Sequence, residues 1–217
     1  MSLIKPPKPE PAWLKPFLGF CHTKTYEKNC DFIRQGEPAE TFYYLIEGSV
    51  KVLIDDEDRR ELVIAYINKG EFIGEMGLFV PQTTRSVLIR TRTRCLVGEI
   101  TYQRFERLLE TDLKGHAKDI LFAIGLQLSN RLHKTSRKVG HLAFLNVTGR
   151  IAGALLDLCQ QPDAMTHPDG MQIRVTRQEL GRIVGCSREM AGRVLKTLEE
   201  QKLIDVKGKT IVVRGTR

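Results

Sequence analysis

The spacing of apolar positions changes along the chain, and each change marks a new kind of element. Between residues 25 and 100 apolar residues come in short runs, at 41–46, 49–54, 62–67, 86–91 and 95–100, which read as strands. Gly36, Gly48, Gly70, Gly74 and Gly77 punctuate them, and Asp55-Asp56-Glu57-Asp58 is a polar loop tip. Many short strands with polar turns predict a jelly-roll or related β-barrel. A short helix over 12–20 precedes the strands, and a helix over 102–110 closes them. Residues 111–118 are polar and contain Gly115, which predicts a loop. From 119 to 143 the spacing lengthens to a heptad: Leu121, Leu128, Thr135 and Leu142 recur every seven residues, with Ile124, Leu132 and Val139 on adjoining positions. Such a seam packs against a second helix or against the barrel.

Beyond this helix the pattern is helical again but in shorter pieces. Asn146 can cap a helix over 147–159; residues 160–170, with Pro162 and Pro168, read as a loop, and 172–175 as a strand. Residues 176–201 predict two helices joined by a tight turn. Thr176-Arg177-Gln178-Glu179 is a capping box, Leu180, Ile183 and Val184 form one apolar face, Gly185 supplies a left-handed stop and Ser187 caps the next helix. At about 100° per residue, Met190, Ala191, Val194, Leu195 and Leu198 fall on one side of that second helix. Arg188, Glu189, Gly192, Arg193 and Lys196 fall on the other. A charged face is often only a solvated one. Here it follows a capped partner across a helix-turn-helix turn, with both arginines in the first two turns, where a recognition helix enters the major groove. An Arg fork matches the O6/N7 edge of guanine, and Glu accepts from cytosine N4, so the expectation is DNA recognition. Residues 203–206 and 210–213 flank Lys207-Gly208-Lys209 as a hairpin wing whose lysines meet phosphate or simply solvate the surface.

Composition adds limits. At 217 residues the chain has room for two domains. No apolar run approaches the roughly 18 residues of a membrane span, and the Pro- and Lys-rich start, MSLIKPPKPEPAW, has no apolar signal core, so a cytoplasmic protein is expected. The net charge of +8 suits an anionic partner, and residues 145–217 carry 12 Lys and Arg against 8 Asp and Glu, the denser excess. Cys21, Cys30, Cys95, Cys159 and Cys186 are widely spaced with no C-x-x-C pair, which argues for packed thiols rather than a metal site. His22, His116, His133 and His141 are scattered, and no nucleophile–base constellation is evident, so neither a haem or redox sensor nor an enzyme is expected. Asn146-Val147-Thr148 matches a glycosylation sequon, read here as chance.

A second constellation lies in the strand-rich half. Gly74-Glu75-Met76-Gly77-Leu78-Phe79 is followed by Arg85-Ser86. Small residues admit close backbone approach, a short helix beginning near Gly77 would offer N–H groups to an anion, Arg85 could grip a phosphate, and Glu75 could accept from a sugar hydroxyl. By itself this set also fits a structural turn.

The runs TFYYLIEGSVKVLI, GEFIGEMGLF, RKVGHLAFLNVTGR, QQPDAMTHPDGMQIRVTRQELGRIVGCSREMAGRV and KGKTIVVRGTR resemble the bacterial catabolite activator protein (cyclic AMP receptor protein) family from barrel to wing. The resemblance implies an α+β protein: a cyclic-nucleotide-binding β-roll over 1–118, a dimerisation helix over 119–144 and a winged helix-turn-helix over 145–217. It implies a homodimeric regulator switched by cyclic AMP. Glu75, with Gly74, would take the ribose, Arg85 and Ser86 the cyclic phosphate, and Thr135 and the partner's Ser136 the base. The seam would be Leu121, Ile124, Leu128, Leu132, Val139 and Leu142. In the DNA-binding part Arg188, Glu189 and Arg193 match base-contacting residues for a half-site resembling TGTGA, with Thr176, Ser187 and Lys196 beside them. The 164–170 loop, with Thr166, His167 and Gly170, resembles the surface that meets RNA polymerase.

Three departures mark this chain. Residues 80–84 differ from the family's acidic loop, the 111–118 connection is longer, and Asn146 stands where the family has Asp. GEMGLF, LIRTRTRC, AIGLQLSNRL and GCSREMAGRV instead resemble a plant-pathogen subgroup in which cyclic di-GMP inhibits DNA binding. Arg85-Ser86 favours cyclic AMP, because that subgroup lacks the serine. A cyclic-nucleotide-binding regulatory subunit without a DNA role would explain the barrel but not residues 176–213.

Overall fold

A computed structural model describes residues 9–55, 60–80 and 84–216. The first part of the Pro- and Lys-rich start, Asp56-Glu57-Asp58 of the loop tip and residues 81–83 of the departing loop lie outside the described residues. The chain divides into two compact units: residues up to 50 with 67–130, and 51–66 with 131 onward.

Short strands run from residue 22 to 101, and most of the fourth and fifth among them falls in the second unit. Helix α1 (Leu14–Gly19) leads into β1 (His22–Tyr26), β2 (Asp31–Ile33), β3 (Thr41–Glu47) and β4 (Ser49–Asp55), followed by β5 (Glu61–Asn68), β6 (Phe72–Ile73), β7 (Leu88–Thr91) and β8 (Cys95–Thr101). One sheet has the order β1-β8-β3-β6, with His22 opposite Glu99, Thr41 opposite Thr101 and Tyr43 opposite Ile73. Strand β2 pairs with β7 in the first unit, and β4 neighbours β5. One face of β3, Phe42 and Tyr44, meets an aromatic cluster of Trp13, Phe17, Phe72 and Phe105, with the Phe42 and Phe105 rings 4.7 Å apart edge to face. Helix α2 (Tyr102–Glu110) is capped by the Thr101 hydroxyl, which accepts from the Arg104 N–H.

Two sequence expectations change here. Residues 111–118 are not a plain loop: Lys114–His116 form a 3-10 turn, Leu113 is fully buried, and helix α3 (Ala117–Phe144) begins two residues earlier than expected. The seam assignment of Ile124 is also corrected. Ile120 and Ile124 are wholly buried in the unit's own core, so Ile124 has nothing left to offer a second helix. Next to it, Gln127 uses its side-chain amide as a strand would, accepting from Phe72 N at 2.7 Å and donating to Phe72 O at 2.9 Å. The α3 stripe 120-124-127 therefore faces the sheet, and the heptad stripe one residue on runs Leu121, Gly125, Leu128, Leu132, Thr135, Val139 and Leu142. Leu121, Leu132, Val139 and Leu142 are exposed, Leu132 by 70 %, while Leu128 is half-buried.

The second unit holds α4 (Val147–Cys159), β9 (Met165–His167), β10 (Gly170–Arg174), α5 (Arg177–Val184), α6 (Arg188–Glu200), β11 (Ile204–Lys207) and β12 (Thr210–Arg214), with the sheet order β11-β12-β10-β9. Ile151, Leu155, Ile173, Leu180, Val184, Val194, Leu195, Ile204 and Ile211 form its core. Asn146 caps α4 by accepting from Gly149 N at 2.9 Å. The wing turns at Gly208, whose φ of 63° is left-handed. The expected 160–170 loop contains β9 instead, because Gly170 lets the chain fold back against β12: a Cβ there would lie 2.0 Å from Val213 O. Residues 61–66 of β5 also belong to this unit. Tyr66 packs on its core, Glu61 pairs with Arg182 of α5 at 2.9 Å, and the Lys138 amine of α3 donates to Val63 O.

Candidate functional sites

Three segments distant in sequence converge on Arg85, which is 7 % exposed. One of its terminal nitrogens donates to the Thr41 carbonyl and, at 3.2 Å, to the Thr41 hydroxyl. The other donates to Tyr102 Oη at 3.2 Å, and the Tyr102 hydroxyl donates onward to Gly74 O at 2.7 Å. The Tyr43 ring lies 5.8 Å from the guanidinium. Backbone bonds anchor the residue itself: Arg85 N donates to Glu37 O, and Gly36 N to Arg85 O. A guanidinium keeps its charge at any physiological pH, and away from bulk water that charge attracts an anion more strongly than at the surface. Burial raises the Tyr102 phenol above its ordinary pKa, with Arg85 opposing, so the hydroxyl stays protonated.

Gly74 lies against this cation with φ 80° and ψ 11°, a left-handed conformation, and a Cβ on it would stand 2.8 Å from Arg85 Nη1. Glu75, 2 % exposed, opens a four-residue 3-10 turn, Glu75–Leu78. This corrects the expected helix start at Gly77. So short a turn has little macrodipole, and the positive charge beside it is the buried Arg85 guanidinium. Gly77 has a different reason to be glycine: its Cβ would be 2.4 Å from Tyr102 Oη. Gly74, Glu75 and Arg85 are thus brought together. Ser86 is exposed in the segment before β7, which starts at Leu88 rather than 86. Thr135 and Ser136 are exposed on α3 in the second unit. The sequence pattern had not signalled Thr41 or Tyr102. Each is unremarkable locally, and only strand pairing and the α2 start bring them to Arg85.

The other candidate site is the helix-turn-helix. Thr176 Oγ1 accepts from Glu179 N at 3.0 Å and starts α5; Gly185, φ 70°, ends it with its N–H on Gly181 O; Ser187 Oγ accepts from Met190 N at 3.1 Å and starts α6. The turn is tight because Gly181 is bare: a Cβ there would lie 2.5 Å from Cys186 O. Ala191, Val194, Leu195 and Leu198 are buried, which orients the helix and leaves Arg188, Glu189, Arg193 and Lys196 exposed on the opposite side. Gly192 is half-buried beside the Arg177 side chain. Met190, expected on the core side, is 38 % exposed, since the first turn projects past the core. Thr176 and Ser187 spend an acceptor lone pair on their caps and retain a hydroxyl proton for a phosphate.

On the β9–β10 hairpin Thr166 is exposed and His167 half-buried, its Nδ1 accepting from Asp169 N at 3.3 Å. Gly170 is buried against Val213, so its assignment to a contact surface is corrected to a structural one. Among the described residues the five cysteines are free, with burial pushing Cys21 up to about 12 and raising Cys95, Cys159 and Cys186. Among the described residues no three His, Cys, Asp or Glu are grouped to hold a metal, and no helix is long and apolar enough to cross a membrane.

Comparison with known proteins identifies two domains. Residues 23–112 match the cyclic nucleotide-binding domain, and residues 149–216 match the Crp-like helix-turn-helix domain. The chain is 54 % identical over 212 residues to the cAMP-activated global transcriptional regulator Vfr of Pseudomonas aeruginosa, covering 96 % of this chain and 97 % of that one. It is 53 % identical over 201 residues to the CRP-like protein Clp of Xanthomonas euvesicatoria, covering 93 % and 87 %. A solved structure of the c-di-GMP responsive global regulator CLP of Xanthomonas campestris superposes with a TM-score of 0.88 at 52 % identity, covering 93 % of this chain and 98 % of that one. A buried arginine beside a glycine-led turn in a β-roll, and an exposed arginine face on a capped second helix, therefore belong to one design: the chain is a member of the CRP/FNR family of cyclic-nucleotide-responsive transcription regulators.

Proposed function

We propose that the protein acts in the cytoplasm as a homodimer that binds a palindromic DNA site with TGTGA-like half-sites under the control of cyclic AMP. The observation that carries the reading is Arg85, buried and directed by Thr41 and Tyr102 beside the Gly74–Glu75 turn. Its fork would take the cyclic phosphate with Ser86, and the Glu75 carboxylate the ribose hydroxyl. Thr135, with the partner's Ser136, would receive the base. Exposed Leu121, Leu132, Val139 and Leu142, with half-buried Leu128, form a heptad stripe suited to pairing with the same helix of a second copy. Two recognition helices so paired would read half-sites about one helical turn of DNA apart. Arg188, Glu189 and Arg193 would contact base edges, Thr176, Ser187 and Lys196 the backbone, and Thr166 with His167 RNA polymerase. Nothing in this assembly needs a catalytic group; the chemistry is binding throughout.

A ligand shifts such a dimer only by binding one arrangement better than the other. Fluorescence anisotropy of a TGTGA palindrome tests this, run with no effector, with cyclic AMP and with cyclic di-GMP. Tighter binding with cyclic AMP is expected. Equal affinity in all three conditions sinks the switch. Weaker binding with cyclic di-GMP selects a second reading, in which that dinucleotide is the inhibitory effector; the likeness to the c-di-GMP responsive CLP structure favours it. A protein that binds cyclic nucleotide but no DNA would be a regulatory module instead.

A further inference from the structure

Tyr102 is the first residue of α2, and its phenol links the Gly74 carbonyl to the Arg85 side chain. Its backbone N–H donates to Glu40 O at 3.0 Å, and its ring stacks on Phe42 at 5.9 Å with the planes 6° apart. The ring is therefore held before the hydroxyl does anything. That hydroxyl has a single proton, and the 2.7 Å bond to Gly74 O uses it. Toward Arg85 Nη1 the oxygen can only accept, which is the polarity a guanidinium requires. Gly77 leaves room for this arrangement and for nothing larger. The geometry points to Tyr102 as a positioning residue that aims Arg85 at the phosphodiester anion of the effector. Thr41 holds one terminal nitrogen of the fork and Tyr102 the other, so the planar group has two fixed points and one orientation. Removing the second point leaves the charge in place and lets the fork turn about the first. The inference rests on the cyclic-nucleotide reading of the site, and it applies equally to cyclic AMP and cyclic di-GMP, whose shared chemistry is the phosphodiester.

The test is a double-mutant cycle on the full-length protein, with affinity for cyclic AMP and for cyclic di-GMP measured by calorimetry. Tyr102→Phe keeps the ring and its stacking and removes only the oxygen. It is expected to weaken effector binding about tenfold, the scale of one hydrogen bond to a charged group. Combined with Arg85→Gln, the same change is expected to add nothing, because Tyr102 would act through a group already gone. Losses that multiply instead would show Tyr102 acting independently of Arg85 and overturn the proposal. Gly77→Ala provides a second route, pressing a methyl against the Tyr102 hydroxyl while leaving Tyr102 itself unsubstituted. It is expected to weaken binding in the same direction. If the unaltered protein binds an effector and Tyr102→Phe binds it equally well, the positioning role fails and the cyclic-nucleotide reading stands. If the unaltered protein binds neither nucleotide, both fall.

Discussion

Arg193 stands on the exposed side of α6 because Ala191, Val194, Leu195 and Leu198 on the opposite side are buried, so the core aims it outward. Arg193→Ala is expected to cost roughly 1–3 kcal/mol on the specific site and to relax preference at one guanine. Anisotropy against specific and randomised DNA checks this; an equal loss on both would make Arg193 a phosphate contact only. Gly170 shows the opposite kind of residue, one whose value lies in having no side chain. With φ at 156° and the Val213 carbonyl 2.0 Å from its missing Cβ, Gly170→Ala must push β10 off β12. A loss of about 1–3 kcal/mol is expected, read as a lower denaturation midpoint. Neither its burial nor its contact was legible from the sequence, where Pro168-Asp169-Gly170 simply spells a turn. The Thr176, Gly185 and Ser187 caps were legible, since capping is decided by neighbours three or four positions away.

Among the elements, α3 separates two apolar stripes that a single sequence cannot tell apart. Ile124 and Leu132 are both aliphatic residues on a heptad-like helix, yet one is wholly buried within its unit and the other is 70 % exposed. Ile124→Ala is expected to destabilise folding by about 2–5 kcal/mol. Leu132→Ala should leave chemical unfolding of the monomer nearly unchanged and weaken self-association, measured by sedimentation. A Leu132 variant that sediments as the parent does would remove the seam from the dimer. The pair was legible as helix and as apolar, but not as inward and outward. What decides between them is the Gln127 amide locked onto both polar groups of Phe72, which sets the rotation of the helix against β6.

In the whole molecule, contacts between distant segments carry an expectation of their own. In the second unit Lys138 is half-buried with its amine on Val63 O, and desolvation lowers its pKa to about 8, with Asp157 opposing. The unfolded chain holds that proton to about 10.5, so between about pH 8 and 10.5 the unfolded state binds more protons than the folded one. Stability from this group therefore rises with pH across that window, and below about 8 the buried charge is a steady cost. Relative to Lys138→Met, the unaltered protein is expected to gain stability from pH 8 to 10.5, measured by urea denaturation at each pH. A constant difference would mean that the amine is not desolvated.

By itself the sequence determined the strand-rich first half, the long helix, the capped helix-turn-helix and the exposed Arg188, Glu189 and Arg193 face. All of these follow from period and from local hydrogen bonding, which act over a turn or two of chain. It also singled out Gly74-Glu75 and Arg85 from residue chemistry, as a set that fits a structural turn equally well, and only the family likeness assigned them to a ligand. Tertiary structure alone decided that Tyr102 and Thr41 hold Arg85, that Ile124 faces inward, that β9 pairs with β10 and that Glu61 meets Arg182. Each of the contacts to Arg85, Ile124 and Arg182 joins residues far apart in the chain. A side chain's partner across such a gap is chosen by sheet register and helix rotation, and neither leaves a mark on the residues next to it.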